Sequence, residues 1–213
     1  MKNVGAIFVG ILLFLAFLVL SYQVKHTVFN QLDFDTTVRL QNHLPKRFDQ
    51  PLSIFSLLGS IEITTLALLG ILIGCRRLSG VIPFMLYGLG SVIEIFGKTL
   101  IPHPGPPFFL LRYNLGFFFP SFYLQTGFSY PSGHAFRTSF LTMVIMILVI
   151  RSKKFTPFFK LGLILCLIGI TFLMALSRVS LGEHWTSDVV AGLLLGISFG
   201  LLSWPVFHTK NRA

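Results

Sequence analysis

The chain has 213 residues, of which 54% are hydrophobic and only 11% carry a charge, and its formal net charge is +10. Soluble domains average about 25% charged residues, so a chain with this little charge cannot cover a water-exposed surface. Its mean hydropathy of +0.79 excludes an ordinary soluble domain and predicts an integral membrane protein. The positive charge fits contact with anionic lipid headgroups. We exclude nucleic-acid binding, because no soluble region is left to present a basic face.

Six apolar runs follow one another, each close to the length of about 20 residues that a membrane-spanning helix needs. They cover residues 3–24, 50–75, 78–97, 132–150, 161–177 and 189–209. We therefore predict an all-α fold, a single integral membrane domain over residues 1–213 built as a bundle of six transmembrane helices. The first run is longer than a signal-peptide core and lacks a convincing cleavage site, so we expect a retained helix.

Basic residues at the ends of the predicted helices indicate the orientation of the bundle. Compact clusters occur at residues 76–77, 151–154 and 210–212, and the positive-inside tendency places such clusters in the cytoplasm. The opposite side carries nearly as many Lys and Arg residues, but several of them lie in motifs that need them for chemistry. We therefore predict an N-in/C-in topology. Cys75 and Cys166 fall at different depths on different helices, so no disulfide is expected.

Polar residues cluster at the predicted start of the fourth helix, in the sequence PSGH at residues 131–134, and Arg137 follows. Ser132 is a good N-cap residue, and Gly133 lets a ligand approach the backbone. The free N–H groups at a helix start attract an anion, and His134 would lie beside that anion as a proton donor. A plain N-cap with an interfacial histidine is the alternative, and it explains Ser132 better than His134.

A second polar cluster, SRVSLGEHWTSD at residues 177–188, precedes the sixth apolar run. His184 and Asp188 are four residues apart and would share one helix face, so the carboxylate can fix the tautomer of the imidazole. The other ring nitrogen then remains available as a nucleophile or base. Arg178 has the planar fork that suits phosphate. The alternative is an interfacial His–Asp contact beside an arginine that reaches toward headgroups.

Together these two clusters resemble the motifs of the type 2 phosphatidic acid phosphatase (PAP2) superfamily. PSGH matches one family motif, and Ser177, Arg178, His184 and Asp188 match the next, in the same order and at the same spacing. The family includes bacterial phosphatidylglycerophosphate and undecaprenyl-diphosphate phosphatases and soluble vanadium haloperoxidases. The resemblance extends over nearly the whole chain and implies a PAP2-like core within the six-helix bundle.

The first family motif, a lysine followed after six residues by Arg-Pro, is incomplete. Lys98 and the proline are present, but Gly105 stands where the family has arginine. Arg137 lies one helical turn after His134, so its guanidinium could fill the space of the missing arginine. Arg112, His103 or no substitute at all are the alternatives, and Arg137 could also reach to outer headgroups.

The resemblance implies a mechanism. His184 would attack phosphorus while Asp188 holds its tautomer, and His134 would protonate the leaving oxygen and later activate water. The implied substrate-binding residues are Lys98, Ser132, Gly133 and Arg178, with Arg137 as the substitute. We expect no cofactor and no metal, because the cationic neighbours of His134, His184 and Asp188 favour an anion over zinc.

The function that follows is a membrane lipid phosphatase that removes a terminal phosphate through a phosphohistidine intermediate. Phosphatidylglycerophosphate, phosphatidate and undecaprenyl diphosphate are equally compatible substrates. The expected partners are this substrate and membrane lipids, in the cell membrane, with the active site on the outer face. The missing arginine at Gly105 suggests an alternative, a protein that binds lipid phosphates without hydrolysis, and a lipid transporter is a further one.

Three other features of the sequence lead to separate expectations. Glu94 precedes Lys98 by four residues, so it should orient Lys98 or pair elsewhere in the bundle. Glu62 should be buried in the second helix. The connection from residue 98 to residue 130 is rich in Phe and Tyr, including Phe122 and Tyr123, which predicts either an interfacial belt or a lid over a lipid tail.

Overall fold

The computed structural model describes residues 2–75, 81–119 and 127–207, and these ranges contain helices and no strand. The α-helices are α1 (Lys2–Lys25), α2 (Asn30–His43), α3 (Asp49–Ser56), α4 (Ile61–Cys75), α5 (Val81–Leu100), α6 (Gly133–Arg151), α7 (Pro157–Ser180) and α8 (Thr186–Leu202). Short 3-10 turns cover Lys46–Phe48, Leu57–Gly59, Phe108–Leu110 and Trp204–Phe207. The predicted all-α class is confirmed.

The helix lengths support four or five membrane spans. Helices α1, α5, α6 and α7 are each long and apolar enough to cross a bilayer. The second predicted run is not one straight helix, because Lys46–Gly59 and Ile61–Gly74 meet at a bend of 48°. Ser60 adopts an extended conformation between them, which ends one helix and starts the next. The sixth run gives α8, which is apolar but shorter than a full span.

The centre of the bundle is the contact between α6 and α8, with α1 on the other side of α8. Gly192, Gly196 and Gly200 form a stripe along α8 that faces α6. A Cβ atom at Gly196 would overlap Ser139 Oγ and the carbonyl oxygen of Phe136. Small residues let membrane helices approach this closely, and close packing replaces the hydrophobic effect as the force that joins them in lipid.

We predicted no helix at the position of α2, because the segment between residues 25 and 51 is polar and irregular. Its buried face carries Asp33 and Thr37. Its Gln41 amide donates to the carbonyl oxygens of Leu110 and Ser180, at 2.7 and 2.9 Å. These side chains fasten α2 to the connections at one end of the bundle, which explains how so polar a helix is held.

That end of the bundle is where the predicted motifs meet. Helix α5 ends at Leu100, α6 begins at Gly133, α7 ends at Ser180 and α8 begins at Thr186. The basic clusters at residues 76–77 and 210–212, and the aromatic residues Phe122 and Tyr123, lie outside the described residues.

Candidate active site

A cavity of about 810 Å³ opens at this end of the bundle. Its charged and titratable lining includes Lys98 from α5, His134 and Arg137 from α6, and the α7–α8 turn. Arg178 lies in the last turn of α7, and Glu183 and His184 lie in the turn between α7 and α8. Gly105, Phe128 and Ser129 come from the α5–α6 connection. Three segments that are distant in sequence thus meet at one cavity.

The turn between α7 and α8 sets the positions of Arg178 and His184. Gly182 has a positive φ of 68°, in the left-handed region that favours glycine. A Cβ atom there would overlap the carbonyl oxygen of Leu110. The backbone N–H groups of Glu183 and His184 then both donate to the carbonyl oxygen of Arg178, at 3.2 and 3.3 Å. This tight turn brings the arginine and the histidine to the same wall of the cavity.

His184 reaches Asp188 partly through Ser129. The direct separation between His184 Nδ1 and Asp188 Oδ2 is 3.4 Å. Ser129 Oγ donates to Asp188 Oδ2 at 2.6 Å and lies 2.9 Å from His184 Nδ1. A serine hydroxyl has a single proton, so it accepts the Nδ1 proton of His184 while it donates to the carboxylate. The His184 ring is thereby held with Nε2 as its unprotonated nitrogen.

The second oxygen of Asp188 binds another histidine. His103 Nδ1 donates to Asp188 Oδ1 at 2.8 Å, and its Nε2 lies 3.8 Å from Asp33 Oδ2. Asp33 in turn accepts from the backbone N–H and the hydroxyl of Ser187, at 2.7 and 2.6 Å. Burial disfavours a charged imidazole, but the two carboxylates outweigh it and raise the pKa of His103. The pKa of Asp33 is raised as well, because burial disfavours its charged carboxylate more than the hydrogen bonds from Ser187 favour it.

His184 is neutral at ordinary pH. Burial lowers the pKa of this imidazole to about 4, and the cations Arg178 and Lys98 act in the same direction. Asp188 opposes the shift only in part. A neutral imidazole with a free Nε2 is the form that can attack an electrophile.

Glu94 joins two of the cations. Its Oε1 lies 3.2 Å from Lys98 Nζ, and its Oε2 accepts from Arg137 Nη1 at 2.8 Å. Arg137 Nε also donates to the carbonyl oxygen of Gly59, at 2.9 Å. A Cβ atom at Gly133 would overlap the Glu94 carboxylate, so glycine at this position makes room for the ion pair. The expected Glu94–Lys98 pair is confirmed, and Arg137 is a second partner.

Arg178 is almost fully buried, with 1% of its surface exposed. It forms an ion pair with Glu183, and its guanidinium carbon lies 5.9 Å from the centre of the Tyr113 ring. In this structure a carboxylate therefore lies against Arg178, as Glu94 does against Lys98 and Arg137.

The PSGH segment differs in detail from its prediction. Ser132 is the N-cap residue of α6, but its hydroxyl makes no capping bond and has no hydrogen-bond partner among the described residues. Its backbone N–H donates to the carbonyl oxygen of Asp188 at 3.0 Å. The cavity is lined by His134, whereas Ser132, Gly133 and Asp188 lie behind its wall.

The three residues considered as substitutes for the arginine missing at Gly105 lie in different parts of the structure. Arg112 is bound to Asp49 at 2.7 Å and to backbone carbonyl groups of the α2–α3 region, and it does not line the cavity. His103 also lies off the cavity, against Asp188. Arg137 lines the cavity. Glu62 does too, and it is half-buried rather than fully buried as predicted.

Sequence reasoning missed the roles of Ser129, Asp33 and Glu183, and it weighed His103 only as a phosphate ligand. The contacts of His103 and Ser129 with Asp188 span 85 and 59 residues of sequence, so no local spacing signals them. Within the described ranges, no three His, Cys, Asp or Glu side chains are grouped so that they could hold a metal ion.

The fold is similar to that of two solved structures, the first of which is described as a transmembrane protein. The phosphatidylglycerolphosphate phosphatase from Bacillus subtilis superposes with a TM-score of 0.72 at 20% identity, over 91% of this chain and 93% of that one. LpxE of Aquifex aeolicus gives a TM-score of 0.59 at 22% identity, over 81% of this chain and 94% of that one. At these identities the likeness concerns the fold.

Sequence comparison adds a relative and a family. An undecaprenyl-diphosphatase of Sulfolobus acidocaldarius is 37% identical over 93 residues, which are 42% of this chain and 40% of that protein. The match thus spans well under half of the relative's length. The model of the PAP2 superfamily matches residues 79–212, which contain all three motif segments. The chain is a multi-pass membrane protein and belongs to the PAP2 superfamily.

Proposed function

We propose that this protein is a membrane phosphatase that removes the terminal phosphate from a lipid phosphate. The observation that carries the proposal is the cavity, where two histidines, His134 and His184, face the cations Lys98 and Arg178. A pair of imidazoles can supply a nucleophile and a proton donor, and the cations can balance the charge of a phosphoryl group. Family membership supports the same chemistry.

In the first step, Nε2 of His184 attacks phosphorus and a P–N bond forms as the P–O bond to the lipid breaks. His134 gives its proton to the leaving lipid oxygen. The bond from Nδ1 to Ser129, and through it to Asp188, supports this assignment, because it leaves Nε2 with the lone pair. The growing positive charge on the ring is stabilised by the Asp188 carboxylate.

In the second step, water attacks the phosphohistidine. His134, now neutral, takes a proton from the water, the P–N bond breaks, and inorganic phosphate leaves with His184 restored. Lys98, Arg178 and the N–H groups at the start of α6 stabilise the equatorial oxygens throughout. Ser132 and Gly133 serve through that helix end rather than as cavity-lining side chains.

Phosphatidylglycerophosphate, phosphatidate and undecaprenyl diphosphate remain the proposed substrates, since each presents a terminal phosphate beside a lipid tail. The names of the compared proteins support this class. We further propose that Arg137 contacts the phosphate in place of the arginine missing at Gly105. Arg137 would exchange part of its ion pair with Glu94 for a phosphate oxygen.

The finer topology is also part of the proposal. Six spans result if the bent pair α3–α4 counts as one span and α8 as another, beside α1, α5, α6 and α7. We place both termini in the cytoplasm and the cavity at the outer face of the cell membrane, in one domain over residues 1–213. The exposed side chains of Phe108, Phe109, Phe117 and Phe118 near the cavity suit a membrane interface.

A protein that binds lipid phosphate without hydrolysing it is the second candidate. The lack of an arginine at position 105 favours this candidate. So do the ion pairs of Glu94 with Lys98 and Arg137, because they engage two cations that the phosphatase would need for the phosphate. A lipid transporter has the same polar groups within a helix bundle but no specific observation in its favour.

The test is release of inorganic phosphate by the purified protein from micelles of the three lipid phosphates. We expect turnover with at least one of them, none with His184→Ala, and full turnover with the exposed control His43→Ala. Binding without phosphate release by the wild-type protein would establish the binder instead. Headgroup translocation that survives His184→Ala would establish the transporter.

A further inference from the structure

The carboxylate of Asp188 is bound on both of its oxygens by side chains of the α5–α6 connection. His103 Nδ1 donates to Oδ1 at 2.8 Å, and Ser129 Oγ donates to Oδ2 at 2.6 Å. These two residues are themselves joined, because the backbone N–H of Ser129 donates to the carbonyl oxygen of His103 at 2.9 Å. The α5–α6 connection therefore binds both carboxylate oxygens of Asp188 through two of its side chains.

We propose that His103 and Ser129 are positioning residues for the nucleophile, which orient Asp188 and through it the ring of His184. The proposal rests on the function proposed above. Ser129 links His184 Nδ1 to the carboxylate across a direct gap of 3.4 Å. His103 fixes the far side of the same carboxylate and places an imidazole that can be positively charged beside it.

The surroundings of His103 favour this role. Its side chain is buried, with 4% of the residue exposed, so the bond to Asp188 is shielded from water. Three groups from different elements face its ring: Asp188 from α8, Asp33 from α2, and the edge-on Tyr130 ring at 6.4 Å. Two carboxylates against one imidazole favour its protonated form, which offsets the charge of Asp188.

Two amide substitutions separate the bond from the charge. In His103→Asn the side-chain amide can stand where Nδ1 stood, so the bond to Asp188 is kept and the charge is lost. In His103→Gln the amide reaches the position of Nε2 instead, so the bond to Asp188 is lost as well. The exposed His43, whose Nδ1 lies 2.7 Å from the carbonyl oxygen of Arg39 on its own helix, provides the matched control His43→Gln.

We expect His103→Gln to lower kcat by about 10–100-fold with little change in KM, as for other partners that orient a working histidine. His103→Asn should keep kcat within several-fold. Without the cation, Asp188 favours protonated His184 more strongly, so the acid limb of kcat/KM should move to higher pH by about one unit. A purely structural role would lower the melting temperature without moving that limb.

Ser129→Ala removes the second side-chain hydrogen bond to Asp188, and it still tests the proposal if the His103 variants do not fold. It should lower kcat by about 10-fold or more with KM unchanged. The control is Ser203→Ala, since Ser203 is also buried, lies away from the cavity, and donates its hydroxyl to the carbonyl oxygen of Gly200 one helical turn away.

The outcomes are distinct. A wild-type protein that releases no phosphate from any lipid phosphate overturns the proposed function. A wild-type protein that does, with normal kcat and an unmoved acid limb in folded Ser129→Ala and His103→Gln, overturns this inference alone. A raised KM with unchanged kcat in Ser129→Ala would also overturn it, because it would make Ser129 a substrate contact.

Discussion

His184 is the residue on which the proposed chemistry depends most. Its replacement by alanine should lower phosphate release by about 10⁴-fold or more, because the proposed mechanism forms the P–N bond on this ring and uses His134 as the proton donor. Asp188→Asn should lower kcat by about 10²–10⁴-fold, since the amide cannot stabilise the charged ring as a carboxylate does. Phosphate release is the measurement, with circular dichroism to show that both variants remain folded.

Arg137 could either bind phosphate or only neutralise Glu94, and a double-mutant cycle separates the two roles. If Arg137 contacts the phosphate, Arg137→Ala should lower kcat by about 10²–10³-fold, and Glu94→Gln should not restore it. If Arg137 serves only Glu94, the double variant should recover most of the lost turnover. Near-normal turnover in Arg137→Ala alone would remove Arg137 from the phosphate site.

The missing arginine can be restored at position 105. A Cβ atom at Gly105 would lie 3.6 Å from Ser129 Cβ, an ordinary contact, and Gly105 lines the cavity. Gly105→Arg should therefore fit, and added to Arg137→Ala it should recover part of the lost kcat. Turnover that stays at the level of Arg137→Ala would show that the loop holds position 105 away from the phosphate.

For individual residues, the sequence spacing predicted side-chain contacts within one helix turn and missed the contacts between separate segments of the chain. The i, i+4 spacing correctly paired Glu94 with Lys98 and brought His184 near Asp188. It could not show that Ser129 lies between the last two or that His103 binds the carboxylate, because those partners come from a different connection. Ser132 at the helix start predicted a side-chain cap that the structure lacks.

At the scale of the element, the glycine stripe of α8 carries a stability prediction. Gly196→Val should destabilise the fold by about 1–3 kcal/mol, because the side chain would overlap α6. Gly169→Val on α7 is the control, since a Cβ atom there meets nothing within 4 Å and the cost to the helix is the same. Thermal unfolding in detergent measures both, and equal melting temperatures would contradict the close α6–α8 contact.

The helices show where apolar runs are sufficient for prediction. Runs starting at residues 3, 78, 132 and 161 correspond to α1, α5, α6 and α7, since length and hydropathy alone identify a span. The bend at Ser60 was missed because apolar composition does not reveal an extended residue between two helices. Helix α2 was missed because tertiary hydrogen bonds, such as that between Asp33 and Ser187, hold it rather than an apolar face.

For the whole molecule, the proposed orientation predicts which end faces outward. In a chain with Cys75 and Cys166 replaced by serine, Phe118→Cys should react with an impermeant thiol reagent on intact cells. Phe118 is 89% exposed and lies near the cavity. Lys154→Cys, in the α6–α7 connection at the other end, should react only after the membrane is broken. The reverse pattern would invert the topology and place the cavity in the cytoplasm.

The central claim is that His184 carries the phosphoryl group during turnover. The most direct measurement is a rapid quench into alkaline detergent with the best lipid substrate, labelled with ³²P in its terminal phosphate, followed by mapping of the labelled residue. We predict a transient label that is stable to alkali, labile to acid, located on His184 and absent from His184→Ala. Turnover without any protein-bound label, or a label on another residue, would contradict this account.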